Sequence, residues 1–194
     1  MDRIKEKKFQ SDCHLVEKVR QGDKNALEEL FFEYYPDLCT YAFQMIKSAE
    51  QAEDIVQEVF YNLWKGRKSW HICISLKAYL FQSVRNHTLN YIEKSKHYRQ
   101  VRDEFAKEIG WNDEDRNGLD QEKRQLVDRI WTAVYEMPQR RQSVFVLHQK
   151  HGLSYKEIAD VLNIKRKTVE NHMGFALSEI RERLDMSLLI DSST

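Results

Sequence analysis

Residues 153–173 read LSYKEIADVLNIKRKTVENHM. Ser154 followed three residues on by Glu157 is the pattern of a capping box, and it predicts a short helix over YKEIADVL. Asn163 and Ile164 supply a tight turn, and a second helix runs from about Arg166 to Leu184. On that second helix Val169, Met173, Ala176, Leu177, Ile180 and Leu184 share one face, which is the expected core side. Lys167, Asn171, Phe175 and Ser178 fall opposite, with Thr168 and Glu170 on the flanks. Ala159, small enough to let two helices cross closely, joins Ile158, Leu162, Ile164 and Val169 in the pattern of a compact trihelical unit.

The second helix opens with Lys165, Arg166 and Lys167. A recognition helix sets its first residues against base edges and phosphates in the major groove. Arg and Lys suit guanine, Asn suits adenine, and a carboxylate such as Glu170 accepts from cytosine. A plain helical hairpin with a solvated basic corner is the alternative. The coincidence of small residue, turn and basic second helix favours a DNA reader.

The remaining affinity is then the question. The 194 residues carry 31 Lys+Arg and 31 Asp+Glu, a formal net charge of zero. A protein that grips a duplex unaided usually carries a broad positive face. Neutrality therefore predicts that DNA binding is shared with a partner. The charge is also unevenly placed: residues 100–123 hold 4 basic and 8 acidic side chains between two near-neutral, slightly basic blocks.

Six Gly, two Pro and many helix formers, without alternating β-branched runs, predict an all-α protein. The first block runs to about Arg99. Gly22 and Asp23 start a helix in which Ala26, Leu27, Leu30 and Phe31 recur at helical spacing. Pro36 marks a kink or the first turn of a second helix burying Leu38, Tyr41, Ala42 and Met45. Ser48 caps the next helix and Gly66 ends it; Trp70 lies in a loop, and Ser75 caps a long helix beyond. Residues 103–122, which contain EFAKEIGWNDEDRNGLDQE, read as a flexible or partner-ordered acidic linker in which Phe105 and Trp111 stand out. The second block begins near Lys123 with the amphipathic LVDRIWTAVYEM; Pro138 opens the next helix and Gly152 closes it.

No apolar run has signal-peptide or membrane-span character, so the chain reads as cytoplasmic and not inserted in a membrane. Cys13, Cys39 and Cys73 are odd in number and far apart, against a disulfide framework or zinc site. His148 and His151 read as helix-surface histidines rather than metal ligands, and no metal or cofactor is expected. There is no H-E-x-x-H, phosphate-binding glycine loop or nucleophile elbow. Glu53, Asp54 and Glu58 do not converge with His at ligand spacing, so catalysis is not expected.

The missing affinity has a source in AEDIVQEVFYNLW, residues 52–64. Ala52, Ile55, Val56, Val59, Phe60 and Leu63 form one apolar stripe. Asp54, Glu58 and Tyr61 point away, with Gln57 at the edge. An acidic-amide ridge repels phosphates but suits a basic or polar helical surface on another protein; a merely solvated face is the default on spacing alone.

That segment, then SLKAYLFQSVRNHTLNYI, then LSYKEIADVLNIKRKTVENH, together resemble the extracytoplasmic-function (ECF) group of bacterial sigma-70 factors, over about Leu15 to Leu184. The first motif is the specific one; the helix-turn-helix alone also suits a response-regulator output domain. The resemblance implies two small helical domains: a region 2 bundle over 10–99 and a region 4 helix-turn-helix over 123–186, joined by a linker at 100–122. It implies a promoter-specificity subunit of RNA polymerase, not an enzyme. Asp54, Gln57, Glu58 and Tyr61 would bind the clamp coiled coil. Asn86 matches a position near the captured non-template strand of the −10 element, with Tyr79, Arg85, His87 and Asn90 as neighbours. Aromatic stacking, basic side chains and base-edge hydrogen bonds are what hold melted strands. Lys94, Lys96, His97, Arg99 and Arg102 extend that helix as a basic tail. Lys165, Arg166, Lys167, Thr168, Glu170, Asn171 and Phe175 would read the −35 duplex, region 4 also touching the polymerase flap. The family further implies an anti-sigma factor. It departs at Lys165, where Ser is common, leaving Asn163 or Thr168 to share the capping role. A stand-alone helix-turn-helix regulator with a helical sensory domain is the competing reading.

Overall fold

The computed structural model describes residues 2–70, 75–96 and 121–191. Cys73, Phe105, Trp111, the acidic linker up to residue 120 and the basic residues His97, Arg99 and Arg102 lie outside them. Among the described residues the regular structure is helical throughout: α1 (Asp2–Arg20), α2 (Lys24–Ile46), α3 (Ala49–Lys65), a 3₁₀ turn at Arg67–Ser69, α4 (Leu76–Lys96), α5 (Gln121–Tyr135), α6 (Gln139–Gln149), α7 (Tyr155–Leu162) and α8 (Arg166–Asp191). Residues 160–162 of α7 apart, they fall into two compact units, α1–α4 and α5–α8.

In the first unit α3 lies against α2 and α4, and α1 packs on α2. The helix starts are chemically explicit. Asp23 accepts hydrogen bonds from the amides of Asn25 (2.9 Å) and Ala26 (3.3 Å), Ser48 from Gln51 (3.5 Å), and Ser75 from Ala78 (3.1 Å). Each satisfies an amide that the first helical turn leaves without a partner. Gly22, at φ 92°, makes the reversal from α1 into α2, where a Cβ would be strained.

α1 was not anticipated from the sequence. It is fastened by Leu15, Val16 and Val19, all buried, and by the Tyr34 hydroxyl, which donates to the buried Asp12 carboxylate with both oxygens at 3.2 Å. Pro36 does not open a second helix: it lies inside α2, which runs unbroken over 23 residues. A proline inside a helix forfeits one backbone hydrogen bond and costs about 3 kcal/mol. Burial of Leu30, Tyr34, Leu38, Tyr41, Ala42 and Ile46 on both sides offsets that loss. Ile46 rather than Met45 completes the buried row, Met45 being half-buried.

In the second unit α8 packs on α5 and α6. The Ser154–Glu157 capping box is complete: Glu157 N–H donates to Ser154 Oγ (3.3 Å) and Ser154 N–H to Glu157 Oε2 (2.8 Å). Pro138 is the residue before α6 rather than its first, and α6 ends at Gln149 with Gly152 three residues on at φ 65°. His151 corrects the expectation of a surface histidine: it lies beyond the end of α6 and is 1% exposed. His148 is half-buried, its Nδ1 2.8 Å from the Leu153 carbonyl. Val169, Met173, Ala176 and Ile180 of α8 are buried as expected, but Leu177 is 47% exposed and Leu184 only half-buried. Leu177 lies about 70° from the centre of that buried row around the helix axis, at its margin. In urea denaturation of the full chain, Leu30→Ala is expected to lower stability by about 2–5 kcal/mol, whereas Leu177→Ala should change it by no more than about 0.5 kcal/mol.

Candidate protein- and DNA-binding surfaces

All six residues of the α3 stripe, Ala52, Ile55, Val56, Val59, Phe60 and Leu63, are buried. The helix has no rotational freedom left, so Asp54, Gln57, Glu58 and Tyr61 stand exposed on the other side. Tyr61 is 62% exposed. The ridge is held from its neighbours. Burial pushes the Tyr35 phenol of α2 above its ordinary value, against a hydrogen bond with the Gln57 side chain that pulls it back. Burial likewise raises the Cys39 thiol beside Tyr35, which leaves it a poor nucleophile. From α4, His87 Nδ1 comes within 3.7 Å of Glu58 Oε2.

Beside the ridge lies an apolar groove of about 520 Å³, where α2 meets α3. Leu27, Phe31, Phe32, Phe60, Tyr61 and Trp64 line it, with Lys24 and Glu28 at its rim. Phe32 is 68% exposed, an uncommon setting for so large an apolar side chain. Phe31 anchors the floor, its ring 5.0 Å from Phe60 and 4.4 Å from Tyr35. The sequence reading placed Tyr61 on the ridge and missed Phe32; the five consecutive aromatic or acidic positions after Leu30, Phe31 to Tyr35, were its only signal.

On α4 the buried Leu76, Leu80, Phe81, Val84 and Thr88 fix the helix, and the expected nucleic-acid residues distribute around them. Asn86, Asn90 and Lys94 are exposed, while Tyr79, Arg85 and His87 are half-buried. Tyr79 rests its ring 5.7 Å from that of Trp70, which is buried at the end of the 3₁₀ turn. Arg85 lies near enough to the buried Tyr41 to oppose electrostatically the upward push that burial gives its phenol. The set therefore divides into half-buried groups held against the core, Tyr79 on Trp70 and Arg85 beside Tyr41, and exposed amides at Asn86 and Asn90. His87 faces the α3 ridge instead of standing with Asn86.

In the second unit Asn163, at φ 53°, makes the turn into α8, a left-handed conformation that Asn tolerates better than most residues. The Lys165 carbonyl accepts from the amides of Thr168 (2.8 Å) and Val169 (3.2 Å), so Lys165 holds the capping position through its backbone. Lys165, Arg166, Lys167 and Asn171 are exposed, Thr168 and Glu170 half-buried. Phe175 is 59% exposed, and the Arg141 guanidinium of α6 lies over its ring at 5.3 Å. Arg141 also pairs with Glu179 at 2.5 Å. The ring is about 13 Å along the axis from the start of α8, at the far edge of the surface that the first turn presents. Arg141 is the addition that sequence reading missed, since its contact joins two helices.

Among the described residues no group of three or more His, Cys, Asp or Glu is placed to hold a metal ion. None of the described helices is long and apolar enough to cross a membrane.

Comparison with known proteins gives this arrangement a lineage. The family model described as Sigma-70 region 2 matches residues 30–98, and that of Sigma-70, region 4 matches residues 128–180. The chain is 22% identical over 166 residues to RNA polymerase sigma factor YlaC of Bacillus subtilis, covering 84% of this chain and 95% of that one. It is 24% identical to RNA polymerase sigma-H factor of Pseudomonas aeruginosa over 186 residues (92% and 94%). ECF RNA polymerase sigma factor SigW of B. subtilis matches at 24% over 176 residues (87% and 94%). Two solved structures share the fold: CnrH in complex with the cytosolic domain of CnrY, with a TM-score of 0.63, 21% identity and 91% and 98% coverage; and the sigma factor RpoE in complex with the anti-sigma factor NepR from Bartonella quintana, with 0.62, 19%, and 81% and 96%. Two sigma-70 regions matched in order along one all-α chain, with relatives that align over nearly its whole length, place this protein in the sigma-70 family, as a sigma factor of the ECF group.

Proposed function

We propose that this sigma factor directs transcription initiation by docking on core RNA polymerase through α3 and touching promoter DNA at two separate places. The observation that carries the reading is α3 itself. Its apolar residues are all buried, and its outward ridge of Asp54, Gln57, Glu58 and Tyr61 has the wrong charge for DNA and the right one for a basic helical surface. In this reading residues 10–99 act as region 2, 100–122 as the linker and 123–186 as region 4. The clamp coiled coil takes the ridge; the flap is met by region 4.

Tyr79, Arg85, Asn86, His87, Asn90 and Lys94 would hold the opened −10 strand. The exposed amides of Asn86 and Asn90 offer base-edge hydrogen bonds, and Lys94 a phosphate contact. Lys165, Arg166, Lys167, Thr168, Glu170, Asn171 and Phe175 would face the −35 duplex, the first turn of α8 leading. The zero net charge fits a DNA contact that is strong only within the holoenzyme. The chain is then an initiation factor working in the cytoplasm, with chemistry left to the polymerase and no cofactor of its own. A stand-alone regulator would leave the ridge and its groove without an occupant.

An anti-sigma partner belongs to the same picture. One structural relative is held by such a factor. A partner seated in the groove of Leu27, Phe31, Phe32, Phe60, Tyr61 and Trp64 would cover Tyr61 and so compete with polymerase.

Two measurements test these assignments. In a pull-down with core enzyme, the double variant Asp54→Ala, Gln57→Ala should be retained far less than wild type; equal retention removes the ridge from the interface. In holoenzyme binding to −35 variants, Asn171→Ala should cost about 1–3 kcal/mol at the matched base. Lys167→Ala should instead weaken binding on every sequence, as the loss of a phosphate contact does; a uniform loss from Asn171→Ala would make that residue a phosphate contact too.

A further inference from the structure

Glu170 is the one acidic residue in the first two turns of α8. Its Oε1 lies 3.2 Å from Arg166 Nε and its Oε2 3.4 Å from Lys167 Nζ. The spacing is i to i+4 and i to i+3, so both cations reach forward over the same turn of helix to one carboxylate. The cations are open to solvent, with side chains 69% and 79% exposed, while the Glu170 side chain is 34% exposed. The helix thus offers an approaching duplex two basic side chains already leaning on an acid.

We propose that Glu170 is a specificity-determining residue, which masks the phosphate-seeking charge of Arg166 and Lys167 and releases it in full only on a duplex whose base edge donates a hydrogen bond to the carboxylate. The proposal rests on the reading of α8 as the −35 contact and deepens it. The electrostatics are direct. Non-specific affinity grows with the number of phosphates neutralised. With Glu170 beside them, Arg166 and Lys167 act together as a single positive charge rather than two, and the carboxylate itself repels phosphate. Ion pairs this exposed are weak, so DNA can open them. On a matched site the freed carboxylate accepts from the amino group of cytosine, and both cations turn to the backbone. On any other sequence the carboxylate meets no donor. The penalty therefore falls on wrong sites more than on right ones, which is how a repulsive element raises discrimination. The Arg183 pairs with Glu179 and with Glu136 begin about 2.5 turns beyond Glu170 and do not enter this balance.

The test uses the full chain and a labelled duplex of random sequence, followed by fluorescence anisotropy across a salt titration. Glu170→Gln should raise random-duplex affinity by about 3–10-fold at 50 mM salt and steepen the log–log salt slope by up to about 1. Glu182→Gln is the control. It removes the same charge from the same helix, where Glu182 accepts from Ser178 rather than from a cation, and should change affinity less than about twofold. In run-off transcription with core enzyme, Glu170→Gln should relax discrimination between matched and mismatched −35 elements. Equal gains from both variants, reflecting bulk charge alone, would overturn the proposal. So would no gain from Glu170→Gln in a chain whose far-UV circular dichroism matches wild type. The double variant Arg166→Ala, Lys167→Ala separates the two levels. If it weakens duplex binding while Glu170→Gln does nothing, masking fails and the reading of α8 stands; if it leaves binding intact, the reading of α8 fails and takes the masking with it.

Discussion

The burial of one stripe on α3 constrains everything on the first unit's surface. Ala52, Ile55, Val56, Val59, Phe60 and Leu63 recur every three or four residues and are all buried. At roughly 1.5–3 kcal/mol for each large side chain taken out of water, turning the helix by even one position would cost more than any surface contact could return. The outward ridge is therefore set by the inward stripe. Its residues need no binding partner to be held in place, and a partner finds them already aligned, without the entropy cost of ordering them.

The same logic runs through α4, with a different result. Its buried residues, Leu76, Leu80, Phe81, Val84 and Thr88, hold a helix whose flanks carry the candidate strand-binding groups. Because α4 packs on α3, His87 reaches Glu58 and stands at the border of the α3 ridge rather than with Asn86. A protein seated on Glu58 would compete for the carboxylate that His87 faces. Of the candidate residues on α4, His87 is thus the one tied to the ridge on α3.

Much of this was legible in the sequence, because the signals are local. The α3 stripe, the caps at Asp23, Ser48 and Ser75, the Ser154–Glu157 box and the turn at Asn163 all depend on spacings of four residues or fewer. Where tertiary packing decides, the sequence was silent or misleading. α1 hides its short apolar row among charges and depends on the Tyr34–Asp12 contact, made across 22 residues. The continuity of α2 through Pro36 reflects burial on both sides, which local propensity cannot weigh. Leu177 has an apolar side chain close to the right period, but it falls at the margin of the buried row and stays 47% exposed. His151 looked exposed beside His148 because the end of α6 was drawn too late. At the candidate surfaces the residue types were readable, but Arg141 on Phe175 and Gln57 on Tyr35 were not, since each joins two helices.

α8 is 26 residues long, about 39 Å of rod, and its candidate DNA-facing residues all fall within its first three turns. Val169, Met173, Ala176 and Ile180 are all buried, so the core grips the helix from its first turn onward. The exposed Lys165, Arg166 and Lys167 stand within about 6 Å along the axis of a fully buried valine. In the −35 reading proposed above, a buried methyl group that never approaches a nucleotide would help to set which bases the first turn meets.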